Sequence, residues 1–270
     1  MNVTFIGGGN MATALIGGLI ARGHPASAIK VVEILHEARA RVAEQFGVAC
    51  FASAGEAAPL GDLVVFAVKP QQMAEVARET APHLREALAL SIAAGIRLDD
   101  LRRWLGGKGR LARCMPNTPA LIGLGVTAVF AEPGVSVEGR EAIGKVLESA
   151  GKLVWVEEES LLDPVTALSG SGPAYIFYFI EAMEQAGIEM GLSPTAARQL
   201  AIETAVGASA LAARSLESPA ILRSRVTSKG GTTERALESM RADGVGEAIV
   251  RAIHAANARA KELGAEFGKN

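Results

Sequence analysis

The chain has 270 residues, enough for one large domain or two ordinary ones, each with a proper core. Apolar residues make up 49% and charged residues 21%, which excludes a disordered chain. A net charge of -2 and 4% aromatics give no case for nucleic acid or an anionic membrane surface.

In chain order, strands are predicted at Val3–Ile6, 29–33, 63–68, 88–92, Arg110–Met115, 126–131 and 153–156. Helical patterns fall at 11–22, 37–46, 71–80, 98–105 and 136–150. Short, nearly continuous apolar strands alternating with helices imply a mostly parallel sheet covered on both faces, an α/β doubly wound domain. From Glu157 onward no strand is predicted. A helix at 174–190 carries almost no polar face, so it is expected to be buried on all sides. Ser193 and Pro194 start a helix at 196–214 rich in Ala, Gly and Ser, a surface suited to close helix contact. Ser218-Pro219 opens a short helix and Val245–Phe267 forms the last. The boundary falls near residues 157–163. The expected division is a dinucleotide-binding domain over 1–158 and an all-helical domain over 159–270.

The start reads as a strand and not a secretory signal, and the greasiest run is stopped by Glu181, short of the roughly 20 residues a span needs. Cys50 and Cys114 lie far apart with no His or Cys at metal-ligand spacing, so no metal site and no disulfide framework is indicated. The expectation is a soluble, cytoplasmic protein.

Ile6, Gly7, Gly8, Gly9, Asn10, Met11 and Ala12 follow the first strand and open the first helix, fitting G-x-G-x-x-G/A. Gly7 suits the tight turn, Gly9 the approach of a pyrophosphate and Ala12 helix–strand packing. Glu33 ends the second strand about 20 residues on, where an acid holds a ribose 2′-hydroxyl and favours NAD; His36 and Arg39 nearby offer cations for a 2′-phosphate, so the choice stays open. Ala67, Val68, Lys69 and Pro70 end another strand, with Lys69 placed either on the cofactor or in solvent. Ala93, Ala94 and Gly95 end the next with small residues that let a flat ring lie on backbone. Asn117 and Thr118 follow the Arg110–Met115 strand, as polar candidates beside the same crevice or as part of a proline-bounded turn.

A second glycine loop runs from Thr227 through Ser228, Lys229, Gly230, Gly231, Thr232 and Thr233 into a helical pattern. A loop meeting a helix N-terminus suits a carboxylate or phosphate; the alternative is an ordinary helix cap. The four histidines, His24, His36, His83 and His254, have no carboxylate at triad spacing, which argues against a catalytic histidine. An imine is basic enough to be protonated before hydride arrives, so the lack of an evident acid tilts the substrate toward a C=N compound.

These motifs, together with the Leu168 to Tyr175 segment, occur in an order that resembles pyrroline-5-carboxylate reductases over the whole chain. The resemblance implies a Rossmann domain, a helical dimerisation domain with interlocked C-terminal helices, and assembly as homodimers or decamers. It implies reduction of (S)-1-pyrroline-5-carboxylate to L-proline by NADPH or NADH. By motif, Ser228 and the Gly230, Gly231, Thr232 and Thr233 backbone would grip the substrate carboxylate, and Thr233 would donate a proton to the ring nitrogen or position it. Lys229 stands where proline is common, and Ala54 where a cofactor-contacting asparagine is frequent. A hydroxyacid dehydrogenase of this architecture would carry a catalytic lysine on the 174–190 helix, which has none. A dinucleotide-binding protein without activity is the non-enzyme alternative.

Overall fold

The computed structural model describes residues 1–268. The chain forms two compact units, one of Met1–Ser171 with Ala256–Asn270, the other of Gly172–Ala255.

The first unit is built on eight strands: β1 (Val3–Ile6), β2 (Ile29–Val32), β3 (Ala49–Phe51), β4 (Leu63–Phe66), β5 (Leu88–Ser91), β6 (Arg110–Met115), β7 (Gly125–Ala131) and β8 (Gly151–Trp155). Their spatial order is β3-β2-β1-β4-β5-β6-β7-β8. Every pair is parallel except β6 with β7, where Ala112 faces Ala131 and Met115 faces Ala128. The chain winds outward from β1 to β3, then returns to place β4 on the other side of β1, which creates a topological switch point between β1 and β4.

Helices α1 (Asn10–Ala21), α2 (His36–Phe46), α3 (Ala54–Ala57), α4 (Met73–Leu84), α5 (Leu98–Trp104) and α6 (Val137–Leu147), with the short α7 (Leu162–Val165), accompany the sheet. Two apolar clusters result. One joins Phe5, Leu15, Ile16, Val31, Val65 and Ile143; the other joins Val64, Phe66, Met73, Ile96 and Leu101. Adjacent residues of β4 fall into different clusters, as the two-residue period of a strand requires. Both faces being apolar explains why these strands read as continuous hydrophobic runs.

β3 was not foreseen because it is three residues long with Ala49 exposed and Cys50 and Phe51 half-buried, too short to show a period. Glycine sets how closely α1 can pack: a Cβ on Gly18 would sit 2.3 Å from the Ser149 carbonyl oxygen. The Ser149 hydroxyl donates to the Leu15 and Val146 carbonyls, closing that contact.

The second unit holds α8 (Gly172–Glu189), α9 (Pro194–Arg214), α10 (Pro219–Arg225), α11 (Thr232–Ala242) and the first half of α12 (Val245–Phe267). Ser193 and Ser218 cap α9 and α10 by accepting from Ala196 and Ile221 N–H. α8 and α9 meet through small residues, a Cβ on Gly187 falling 3.0 Å from that of Ala197. The expectation that α8 is buried on all sides fails within one chain. Phe177 is 65% and Tyr178 75% exposed, and Gly187 is the helix's buried residue. An apolar helix demands cover, but its sequence does not say that the same chain supplies it.

Candidate active site

The dinucleotide candidates of the first unit lie beyond the carboxyl ends of β1, β2, β4, β5 and β6. Gly7 has φ +105°, and a Cβ there would meet the Ala67 carbonyl oxygen at 2.7 Å. The loops after β1 and β4 are therefore in contact, and only glycine allows it. Gly9 precedes α1 with no side-chain cap, and no atom lies within 4 Å of where its Cβ would be. The first-turn amides of α1 have no acceptor within the helix, and open space lies outside the backbone at Gly9. That arrangement fits a pyrophosphate, drawn by the amides and the positive helix end. Ala12 is fully buried against the sheet.

Glu33 leaves β2 pointing back to the glycine loop. Its Oε2 accepts from Gly8 N–H and its Oε1 from Leu35 N–H, both at 2.9 Å. Arg39, on α2, donates from Nη1 to the Glu33 and Ile34 carbonyls at 2.7 and 3.3 Å. Lys69 is exposed at the start of a 3₁₀ turn formed by Pro70–Gln72. Ala93 and Gly95 are buried, and Gly95 (φ +76°) lies under Phe267, whose Cδ2 would be 3.0 Å from an added Cβ. Phe267 thus packs on the β5 loop. Ala54 begins α3, 7% exposed, behind the Ser53 cap that accepts from Glu56 N–H.

Asn117 is half-buried, and its amide is already engaged. Nδ2 donates to the Ser169 carbonyl at 3.1 Å and Oδ1 accepts from Val126 N–H at 2.9 Å. It ties the entry of β7 to the π-helical turn at Thr166–Gly170, within the Leu168 to Tyr175 motif. Thr118 beside it is exposed.

In the second unit, the loop before α11 turns at Gly230 (φ +72°), and Gly231 occupies the N-cap position without a side-chain bond. Gly231 N–H donates to the Ser228 carbonyl at 3.0 Å, and Gly230 N–H donates to Glu234 Oε2 at 2.6 Å. Glu234 sits three residues past the cap, the capping-box spacing. It was passed over in the sequence, although that spacing was the available signal. Two loop amides are thus in use, which leaves Thr232 and Thr233 N–H in the first turn of α11. Among the described residues no hydrogen bond engages the hydroxyls of Ser228, Thr232 or Thr233. Thr233 is half-buried, and Lys229 is exposed.

Two ion pairs near the β5 and β6 loops also went unread, because their partners are far apart in sequence. Arg113, 3% exposed on β6, pairs with Glu159 at 3.0 Å, and the same Glu159 oxygen accepts from Leu98 N–H. Arg97 pairs with Asp163 at 3.3 Å.

His24 is buried, and its Nε2 has no protein partner. Burial first, then Lys145 and the N-terminal ammonium, lower its pKa from the ordinary histidine value. Cys114 is buried in the β6 core, where desolvation pushes its thiol far up, and Cys50 is half-buried with a smaller rise of the same cause. Neither is a thiolate nucleophile at neutral pH. Among the described residues no group of three or more His, Cys, Asp or Glu could hold a metal ion, and no helix is long and apolar enough to cross a membrane.

Residues 159–263 match the family model for pyrroline-5-carboxylate reductase dimerisation, and residues 2–95 that for coenzyme F420-dependent NADP oxidoreductase. A pyrroline-5-carboxylate reductase of Pseudomonas aeruginosa is 44% identical over 99% of this chain and 98% of that protein. The chain belongs to the pyrroline-5-carboxylate reductase family. A solved pyrroline-5-carboxylate reductase from Coxiella burnetii superposes with a TM-score of 0.92, at 38% identity, covering 97% of this chain and 98% of the other. The Plasmodium falciparum pyrroline carboxylate reductase, solved with NADP bound, gives 0.86 at 26% identity, covering 98% of each chain. The family is one of NAD(P)-dependent oxidoreductases, and this member carries the family's dimerisation domain.

Proposed function

We propose that this chain reduces (S)-1-pyrroline-5-carboxylate to L-proline with NADPH or NADH, the last step of proline synthesis, in the cytoplasm. The observation that carries the reading beyond family membership is the start of α11. There, among the described residues, the first-turn amides of Thr232 and Thr233 and the hydroxyls of Ser228, Thr232 and Thr233 carry no protein hydrogen bond on one short loop and helix start, which suits a small carboxylate.

The nicotinamide cofactor, when bound, supplies the hydride that reduces the C=N bond. The open amides of Gly9, Asn10 and Met11 would hold its pyrophosphate. The Ile6 to Ala12 loop, Glu33, the Ala67, Val68, Lys69 and Pro70 loop, and Ala93, Ala94 and Gly95 would shape the rest of that crevice. Asn117 would border the crevice from the turn after β6, which its two backbone bonds fix, with one N–H and one acceptor position left for the cofactor. Ser228 and the amides of Thr232 and Thr233 would anchor the substrate carboxylate, with Gly230 and Gly231 setting the turn. The Thr233 hydroxyl would hydrogen-bond the ring nitrogen, donating to it or holding the protonated imine in line. Lys229, exposed, adds positive charge at the loop. Catalysis then comes mainly from orientation, which alone can supply several orders of magnitude.

In this reading residues 1–158 carry the cofactor and 159–270 the substrate grip and the subunit contacts. The exposed aromatic face of α8 is covered by a second copy, giving a homodimer with interlocked C-terminal helices that can assemble further into decamers.

The test is loss of absorbance at 340 nm when the protein meets pyrroline-5-carboxylate and either nucleotide. No loss with both would end the proposal. Thr233→Ala and Ser228→Ala are expected to lower kcat/KM by roughly tenfold or more, the scale of one lost hydrogen bond to a charged group. Nucleotide affinity should stay intact. An unchanged kcat/KM in both variants would remove α11 from the site.

A further inference from the structure

The sequence leaves two opposed signals at the end of β2: an acid that disfavours a 2′-phosphate and cations that favour one. The structure separates them. The Glu33 carboxylate is fixed, with Gly8 N–H on one oxygen and Leu35 N–H on the other, each at 2.9 Å. Swinging away would break both bonds, and the part-buried Gly8 N–H would lose its acceptor. Each oxygen keeps a further acceptor position, so the group can still receive a ribose hydroxyl. Arg39, the nearest candidate cation, is partly engaged. Its Nη1 holds the Glu33 and Ile34 carbonyls, which keeps the guanidinium on the backbone of the β2–α2 connection. Ile34 and Leu35, exposed at 69% and 64%, form the rest of that connection and offer no charge or hydroxyl. His36, exposed at the first position of α2, is the other cation candidate of this connection.

We infer that Glu33 makes this enzyme discriminate against NADPH and use NADH, by holding a fixed carboxylate where the adenosine ribose meets the glycine loop. The inference rests on the assignment of the β1 loop as the dinucleotide site. A 2′-phosphate carries about −1.5 to −2 at neutral pH. Brought beside this carboxylate it meets like charge at close range, while the Arg39 guanidinium is drawn toward the backbone carbonyls of residues 33 and 34. A ribose 2′-hydroxyl in the same place donates to that carboxylate.

The experiment is equilibrium binding of NADH and of NADPH, followed by nucleotide fluorescence or calorimetry, without substrate. The native protein should bind NADH at least roughly tenfold more tightly than NADPH, with the gap narrowing as salt is raised. Glu33→Ser and Glu33→Gln should each tighten NADPH by about tenfold and weaken NADH, so that the preference closes or reverses. Glu33→Gln keeps the size of the side chain and reads the charge alone. His36→Ala should change neither affinity. Native NADPH affinity equal to or above that for NADH would overturn the inference. So would a preference that both Glu33 variants leave unchanged. If His36→Ala weakens NADPH alone, a phosphate seat exists and the inference also falls. Failure of both nucleotides to bind at all would instead overturn the assignment of the crevice, a separable result.

Discussion

The two compact units solve the problem of burial in opposite ways. In the first, the sheet is covered on both faces by its own helices, and Phe5, Phe66, Leu15, Ile16 and Met73 are fully buried. In the second, the buried apolar residues are small, Ala197, Ala201 and Gly187, while Phe177, Tyr178, Leu200 and Leu211 stay in solvent. The first unit has a finished core and the second has half of one. Apolar composition alone does not distinguish them. What differs is whether large side chains meet large side chains within the chain.

The comparison can be broken at either end. Phe66→Ala, at the centre of the first core, is expected to cost about 3–5 kcal/mol in chemical denaturation, with nucleotide binding lost at the same denaturant concentration. A cost below 1 kcal/mol would mean that this core is looser than its burial implies. Phe177→Asp on the exposed face of α8 should weaken self-association by about 2–4 kcal/mol, the range of an aromatic anchor. Size-exclusion chromatography should then show monomer, with reductase activity reduced and NADH binding retained. A native-sized, fully active variant would mean that α8 is not the covered face.

Gly18→Ala sharpens the same contrast on a smaller scale. Its Cβ would press on the Ser149 carbonyl, and a loss of about 1–3 kcal/mol is expected. Gly207, on α9, has open space at the same position, so Gly207→Ala should be neutral or mildly stabilising in a monomeric background.

The smallest effect is at His24. Its folded-state pKa is lowered, so above the ordinary value near 6.5 both states are neutral and no cost arises. As pH falls through 6.5 the unfolded chain takes up a proton that the folded chain resists, and stability declines until the folded pKa is reached. The melting temperature of the native protein should drop more between pH 7.5 and 5.5 than that of His24→Gln. Parallel curves would show that His24 is more solvated than its burial indicates.

Much of this was legible in the chain. The glycine fingerprint, the alternation of strands and helices and the serine-proline helix starts are local signals, and local signals survive in sequence. The helices at Pro194–Arg214 and Val245–Phe267 begin and end close to where capping and periodicity place them. What escaped depends on distance along the chain. Glu159 binding Arg113 and the α5 amide, Phe267 lying on Gly95, and β3 completing the sheet edge each join residues that no periodic pattern connects. Asn117 was visible as a polar residue beside a crevice, but the two backbone partners that make it a brace between β7 and the Thr166–Gly170 turn were not. Glu33 was visible too. That its carboxylate accepts from Gly8 and Leu35 N–H, and that Arg39 bonds the backbone beside it, required coordinates.

That commitment of Arg39 has a consequence for anyone who would re-engineer the cofactor. Deleting the acid at position 33 clears repulsion but adds no new cation, and the nearby guanidinium already has one nitrogen bracing a turn. A preference for NADPH stronger than deletion of the acid leaves behind therefore calls for a further cation. The places to put it are the two greasy, solvent-facing positions beside it, Ile34 and Leu35, which the fold leaves vacant of polar function and whose replacement disturbs no core.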